Sequence, residues 1–154
     1  MSFKASVKAS IFQTEVPLAE GFDKDELELK ECYPVVQTEN GWKGWEVQGD
    51  TPVFVSKDEE VGFVYPGITS KFKSVRSLKK IAVSLTPVII GVDISYFANA
   101  SEVAPGKAVL IGVPAGQAGA TALYKFFATG IDAIGDYKAG KIIDKIGNEV
   151  VIKF

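Results

Sequence analysis

The sequence contains no histidine, one cysteine and one methionine among its 154 residues. The missing histidine removes the commonest general base and a frequent ligand of transition metals. It also removes the Ser-His and Cys-His pairs that most nucleophilic hydrolases use. A single cysteine, Cys32, permits neither an internal disulfide nor a cysteine-cluster metal site. The longest apolar stretch, Ile81 to Val92, is interrupted by Ser84, Thr86, Pro87 and Gly91, which makes it too short and too broken to span a bilayer. The opening MSFKASVKASIFQTE carries lysines but no continuous apolar core of the signal-peptide kind. The reading from these absences is a soluble, non-enzymatic protein with no cofactor and no membrane partner, independent of an oxidising compartment.

What is present suffices for one compact domain. The chain is 47% hydrophobic and 23% charged with a net charge of −2, a balance that excludes disorder. The charge is uneven. Residues 1–60 hold thirteen acidic and six basic side chains, whereas residues 61–154 hold six acidic and eleven basic ones. Such a dipolar chain fits either head-to-tail association or two ordinarily solvated surfaces.

Residues 3–11 alternate strictly, with Phe3, Ala5, Val7, Ala9 and Ile11 apolar and the residues between them polar. Period two predicts a half-buried strand, either the first strand of the domain's own sheet or an arm that adds a strand to a neighbour. The expected organisation is an N-terminal strand or arm over 1–14 and a single β-rich domain over 15–154. Asp23, Asp25, Glu26, Glu28 and Glu31 form an acidic strip that lacks the glycine of a calcium loop. From Tyr33 to Tyr65, strand-sized pieces are cut by turn signals, with Asn40-Gly41 the strongest hairpin signal. Trp42 and Trp45 are three residues apart, so a strand places them on opposite faces. One is expected in the core, and the other is a candidate interface anchor or sugar platform.

Residues 71–80 hold five basic side chains around Phe72, too few in an acidic protein to predict nucleic-acid binding. Residues 81–97 read as two strands parted near Thr86-Pro87 or as one bent strand, with Pro87 at an edge or bulge. Ala108 to Ile111 reads as a strand followed by a loop with Gly112, Gly116 and Gly119. A short helix over ATALYKFFATG would complete the outline of a dinucleotide turn, but the first fingerprint glycine is replaced by Pro114. A β-turn-β segment is the alternative. At the C-terminus, Gly147-Asn148 predicts a two-residue hairpin between Ile142–Ile146 and Glu149–Phe154. The fold expected is mainly β: an antiparallel sandwich or barrel of short strands, at most one or two short helices, and an extended N-terminal arm.

Catalytic chemistry has few candidates. Glu46, Asp50 and Asp93 are carboxylates with no spacing that pairs them. Cys32 sits beside Glu31, which raises its pKa rather than activating it.

The segment ASEVAPGKAVLIG, residues 100–112, resembles a step found in small decoration, or cement, proteins of tailed-phage capsids. GQAGATALYKFFATGIDAI is similar to the glycine- and alanine-rich return strand of such proteins, and YKAGKIIDKIGNEVVIKF to their closing hairpin. The resemblance covers about a third of the chain. It implies a structural protein on the virion surface, assembled in the host cytoplasm. Its partners would be the major capsid protein and copies of itself, with a homotrimer favoured and no nucleic acid bound. The arm (Phe3, Ala5, Val7, Ile11), the acidic strip and Trp42 or Trp45 are then the candidate contact residues. A phage tail or connector component, a carbohydrate-binding β-sandwich and a small nucleotide-binding domain using the 112–119 loop are the alternatives.

Overall fold

The computed structural model describes residues 5–19, 31–43, 51–65, 80–115, 125–130 and 135–154. They form an antiparallel sheet that curls into a half-barrel. Its strands are β1 (Ser6–Pro17), β2 (Pro34–Thr38), β3 (Gly41–Lys43), β4 (Val53–Phe54), β5 (Val61–Val64), β6 (Lys80–Asp93), β7 (Ala108–Val113), β8 (Lys125–Thr129), β9 (Ala139–Ile146) and β10 (Glu149–Lys153). Helical structure among the described residues is confined to two 3-10 turns, Ile94–Tyr96 and Ala100–Glu102.

The long strand β6 organises the sheet. Its sequence, KIAVSLTPVIIGVD, is rich in β-branched residues and has no helical face. One edge carries β1, antiparallel from Pro17 opposite Lys80 to Ser6 opposite Gly91. The other edge is shared. β5 pairs with Val83–Leu85, and β10 pairs with Ile89–Asp93. The sheet order is β3-β2-β5-β6-β10-β9-β7-β4, with β8 added beside β7. Residues 81–97 thus contain one bent strand rather than two. The bend falls at Thr86-Pro87, where the β1 register jumps from Ser10 opposite Val88 to Phe12 opposite Leu85. Proline donates no ladder hydrogen bond, so a bulge is where it does least harm.

Two cores follow from the alternation along β6. Val88, Ile90 and Val92 enter the larger one, with Phe63, Ile111, Phe126, Ile142 and Ile152. Ile81 and Val83 enter a smaller one with Val16, Leu18, Val35, Trp42 and Val64. The smaller core is enclosed because β1 returns to meet β3. Leu18 bridges Trp42 in parallel, and the Ala19 N–H donates to the Trp42 carbonyl at 2.7 Å. Strands β1, β6, β5, β2 and β3 thereby form a ring around these side chains. Gly41 makes that closure possible. A Cβ there would stand 2.9 Å from the Ala19 nitrogen, and its φ of 113° lies where side chains are rarely accommodated.

Both predicted hairpins are present. β2 and β3 are joined through Glu39-Asn40, with Thr38 opposite Gly41. β9 and β10 are joined through Gly147-Asn148, with Gly147 at φ 60°. Two expectations are corrected. The helix outlined over ATALYKFFATG does not form at its described end: residues 125–129 are β8, antiparallel to β7 from Ala108 opposite Thr129 to Gly112 opposite Lys125. Phe126 and Ala128 are buried while Lys125, Phe127 and Thr129 are half-buried, which is the period of a strand. The alternation of residues 3–11 also fails to give one buried face. Register shifts between Val7 and Ala9 and between Ser10 and Phe12 re-aim the side chains. Ala5 and Val7 pack against the larger core, but Ile11 points to solvent.

Candidate functional site

The most distinctive surface of the described residues lies along β1. The strand is twelve residues long and pairs with β6 on one edge; on the other edge β3 meets the chain just past its end, at Leu18, and no strand pairs along Ser6–Pro17 among the described residues. At its middle, Ile11 is 74% exposed and Phe12 54% exposed. The register shift between Ser10 and Phe12 lies at this point of the β1–β6 pairing. An apolar cleft of about 380 Å³ opens there, lined chiefly by Ala9, Ile11, Pro87 and Ile89, with Lys153 at its side. Exposed sheet edges are normally guarded by charge, proline or bulges. Here Lys8 and Pro17 guard the ends, and the uncharged run from Ala9 to Thr14 lies between Lys8 and Glu15. Lys8 holds Glu149 of β10 at 3.2 Å across the face of the sheet, which ties the first turn of the strand down. Of the predicted arm residues, Ala5 and Val7 therefore anchor the strand and Ile11 is displayed by it, while Phe3 lies outside the described residues. The strand continues past residue 14 to Pro17, paired with β6.

Trp42 is the core member of the tryptophan pair. It is buried in the smaller core and offers no platform to a sugar. Trp45 lies outside the described residues, as do Glu46, Asp50, Gly116, Gly119, the acidic strip up to residue 30 and the basic residues 71–79. Gly112 is described and is not part of a phosphate-binding turn. It sits within β7, where a Cβ would come within 2.6 Å of the Val53 carbonyl oxygen and of the Phe54 ring. The chain then returns as antiparallel β8, whereas a dinucleotide turn needs a strand followed by a helix.

Titratable groups gather beside the core just before β2, where Glu31, Cys32 and Tyr33 meet Tyr96. Cys32 is fully buried and has a left-handed φ of 64°, with its N–H donating to the Val64 carbonyl at 2.8 Å. The Tyr96 hydroxyl donates to the Glu31 carbonyl at 3.0 Å, and the Tyr33 and Tyr96 rings lie 4.4 Å apart. Burial pushes the Cys32 thiol far above its ordinary value. The Glu31 charge adds to the shift and Lys8 opposes it. Burial likewise raises Tyr96 strongly, helped by the neighbouring acidic groups, and raises Tyr33 and Glu31. A thiol kept protonated is a poor nucleophile. For Cys32 and the two tyrosines the neutral form is favoured in the folded state, so their stabilising effect is complete below the ordinary thiol value of 9.0 and is lost as pH rises beyond it, whereas that of Glu31 is already lost above the ordinary carboxyl value of 4.5. The melting temperature should therefore fall steeply once pH exceeds about 9. A thiol reagent should label Cys32 at pH 8 only at the rate of unfolding. Rapid labelling of the native protein would contradict the burial. Asp93 is lowered because it caps the first 3-10 turn, accepting from the Ser95 N–H at 3.0 Å. That is a structural task and accounts for this carboxylate.

A second cavity, of about 110 Å³ between β2, β3 and β4, has Lys43, Glu59 and Thr38 at its rim and room for a few waters. No group of metal-ligating side chains and no helix long and apolar enough to cross a membrane occurs among the described residues. Further exposed apolar side chains lie at Val53 and Tyr137 beside β4, and at Ile143 and Ile146 on β9. Period-two reasoning missed Phe12, because only the bulge exposes it; the signal available in the sequence was Pro87, which marks the bulge on the partner strand. Comparisons of the chain with protein-family models, with curated proteins and with solved structures give no match.

Proposed function

We propose that this chain is a non-enzymatic structural protein of a tailed-phage virion, a capsid decoration protein that binds and stabilises the shell. The observation that carries the reading is the β1 edge: no other described strand pairs along Ser6–Pro17, and Ile11 and Phe12 are exposed there beside an apolar cleft. Contiguous exposed apolar surface on a soluble domain marks a contact with another macromolecule. Strand edges and apolar clefts are the features that peptide segments of neighbouring subunits use. The resemblance of residues 100–154 to cement proteins supplies the kind of assembly, with the major capsid protein and copies of the chain as partners. A shell repeats its sites many times, so modest contacts suffice through multivalency. The additional exposed residues on β4 and β9 suit a protein that touches more than one neighbour. Quantitative mass spectrometry of purified virions from the virus that encodes the chain is the test. The reading expects a copy number in fixed ratio to the major capsid protein. A few copies per particle would place the chain in the tail or connector, and absence from the particle would overturn the virion reading.

A further inference from the structure

We propose that the outer face of the sheet binds a straight-chain alkyl carboxylate, with its tail in the cleft between β1 and β6 and its carboxylate between Lys153 and Lys141. The inference goes beyond the assembly reading and does not depend on it. Strand register places the site. Val88, Ile90 and Val92 of β6 enter the larger core, so Ile89 faces the other way. Ala9 of β1 stands opposite Ile89 on one side and Lys153 of β10 on the other, and Lys141 of β9 stands opposite Lys153. Paired residues share a face, so these four side chains form one row across four adjacent strands. The row is apolar at its β1 end and cationic at its β9 end.

The cleft lies at the apolar end, and its volume of about 380 Å³ falls within the range of small-ligand sites. Ala9, Ile11, Pro87, Val88 and Ile89 give it an aliphatic wall, with Lys153 at its side. The remaining lining residue, Ser10, donates its hydroxyl to the Phe12 carbonyl at 3.3 Å. A wall with no aromatic ring, and with its one hydroxyl engaged, suits an alkyl chain and offers little to a sugar or a nucleotide.

The cationic end lacks an anion. Lys153 and Lys141 are exposed and directly opposite each other, and like charges so placed oppose the pairing of their strands. Among the described residues neither has an ion-pair partner. The acidic groups of the same two strands are engaged elsewhere. Glu149 holds Lys8 at 3.2 Å, and Asp144 accepts from the Lys145 N–H at 2.8 Å. The Phe154 main-chain oxygen accepts from the Val88 N–H at 3.0 Å. A carboxylate seated between the two ammonium groups relieves their repulsion through charge-assisted hydrogen bonds. Its tail then covers apolar surface that water otherwise meets.

Isothermal titration calorimetry of the full chain with alkyl carboxylates, well below their micelle-forming concentrations, tests the proposal. Decanoate should fill a single saturable site. Affinity should rise by up to about fourfold per added methylene from hexanoate to decanoate, as expected for a tail that leaves water. Octanoate should bind more tightly than 1-octanol, which has the same chain and no charge. Joint replacement of Lys141→Gln and Lys153→Gln should weaken octanoate about tenfold and remove its advantage over octanol. Lys125→Gln on β8 should change neither. Ala9→Leu, which fills the cleft, should abolish binding while circular dichroism stays unchanged. The lysine replacements alter exposed side chains only, so they keep the test decisive if Ala9→Leu disturbs the strand. No saturable site for decanoate, equal binding of octanoate and octanol, or undiminished binding by the lysine double variant would each overturn the proposal.

Discussion

Replacing Phe126 with alanine is expected to destabilise the fold by about 4 kcal/mol, the middle of the range for fully buried aromatic side chains. For a chain of this size that corresponds to a fall in melting temperature of roughly 10 °C. Phe126 is 1% exposed on β8 and lies in the larger core. Its ring stands 5.7 Å from Phe97, 5.9 Å from Phe154, 6.2 Å from Tyr96 and 6.4 Å from Phe63, so it joins β5 and the first 3-10 turn to the C-terminal end of the chain. Truncation leaves a hole that the surrounding strands of the curled sheet do not collapse to fill. The neighbouring residue supplies the control. Phe127 points to the other face of β8, is half-buried, and meets Phe54 edge-on at 5.0 Å. Its truncation should cost less than half as much. Chemical denaturation of the two variants measures both values; equal losses would contradict the assignment of the core face.

The second large effect is expected at Trp42. Removing the indole should cost about 3–4 kcal/mol, because it fills the ring formed by β1, β6, β5, β2 and β3. The loss should fall on the closure between β1 and β3 in particular. Hydrogen exchange at the Ala19 amide, which bonds to the Trp42 carbonyl, should accelerate more than exchange in β9 or β10. The same burial bears on the sugar-binding alternative. An indole enclosed by Leu18, Val35, Val64 and Ile81 cannot stack on a pyranose, so added glycans should leave its emission unchanged. An increase in exchange spread evenly over the sheet would mean that the smaller core is not a separate unit.

Local chemistry made much of the architecture readable. Gly147-Asn148 and Asn40-Gly41 fixed two hairpins, because few residues tolerate those turn conformations. Pro87 marked the bulge in β6, and the absence of any helical periodicity from residue 81 to residue 92 marked a strand. What the sequence could not convey was which faces and edges remain open. Strict alternation in residues 3–11 says that faces differ; it does not say that two bulges will exchange them and leave Ile11 in water. The choice between Trp42 and Trp45 depended on Leu18, more than twenty residues away, coming round to close a ring. The glycines after β7 suggested a phosphate loop when read locally. Gly112 is small for a different reason, the close passage of β4 across the strand. The candidate contact surface was half legible. The pattern of the arm is legible in the sequence, but its significance lies in the exposed pair Ile11 and Phe12 and in an edge along which no described strand pairs, both of which are tertiary facts.

The most direct test of the proposed decoration role is to mix the purified protein with tailed-phage shells assembled from the major capsid protein that the proposal assigns as its partner and to pellet the shells. The account predicts saturable co-sedimentation at a fixed ratio to the capsid subunit, together with shells that resist heat better when the protein is bound. A protein that stays in the supernatant at every ratio, with shell stability unchanged, would contradict it.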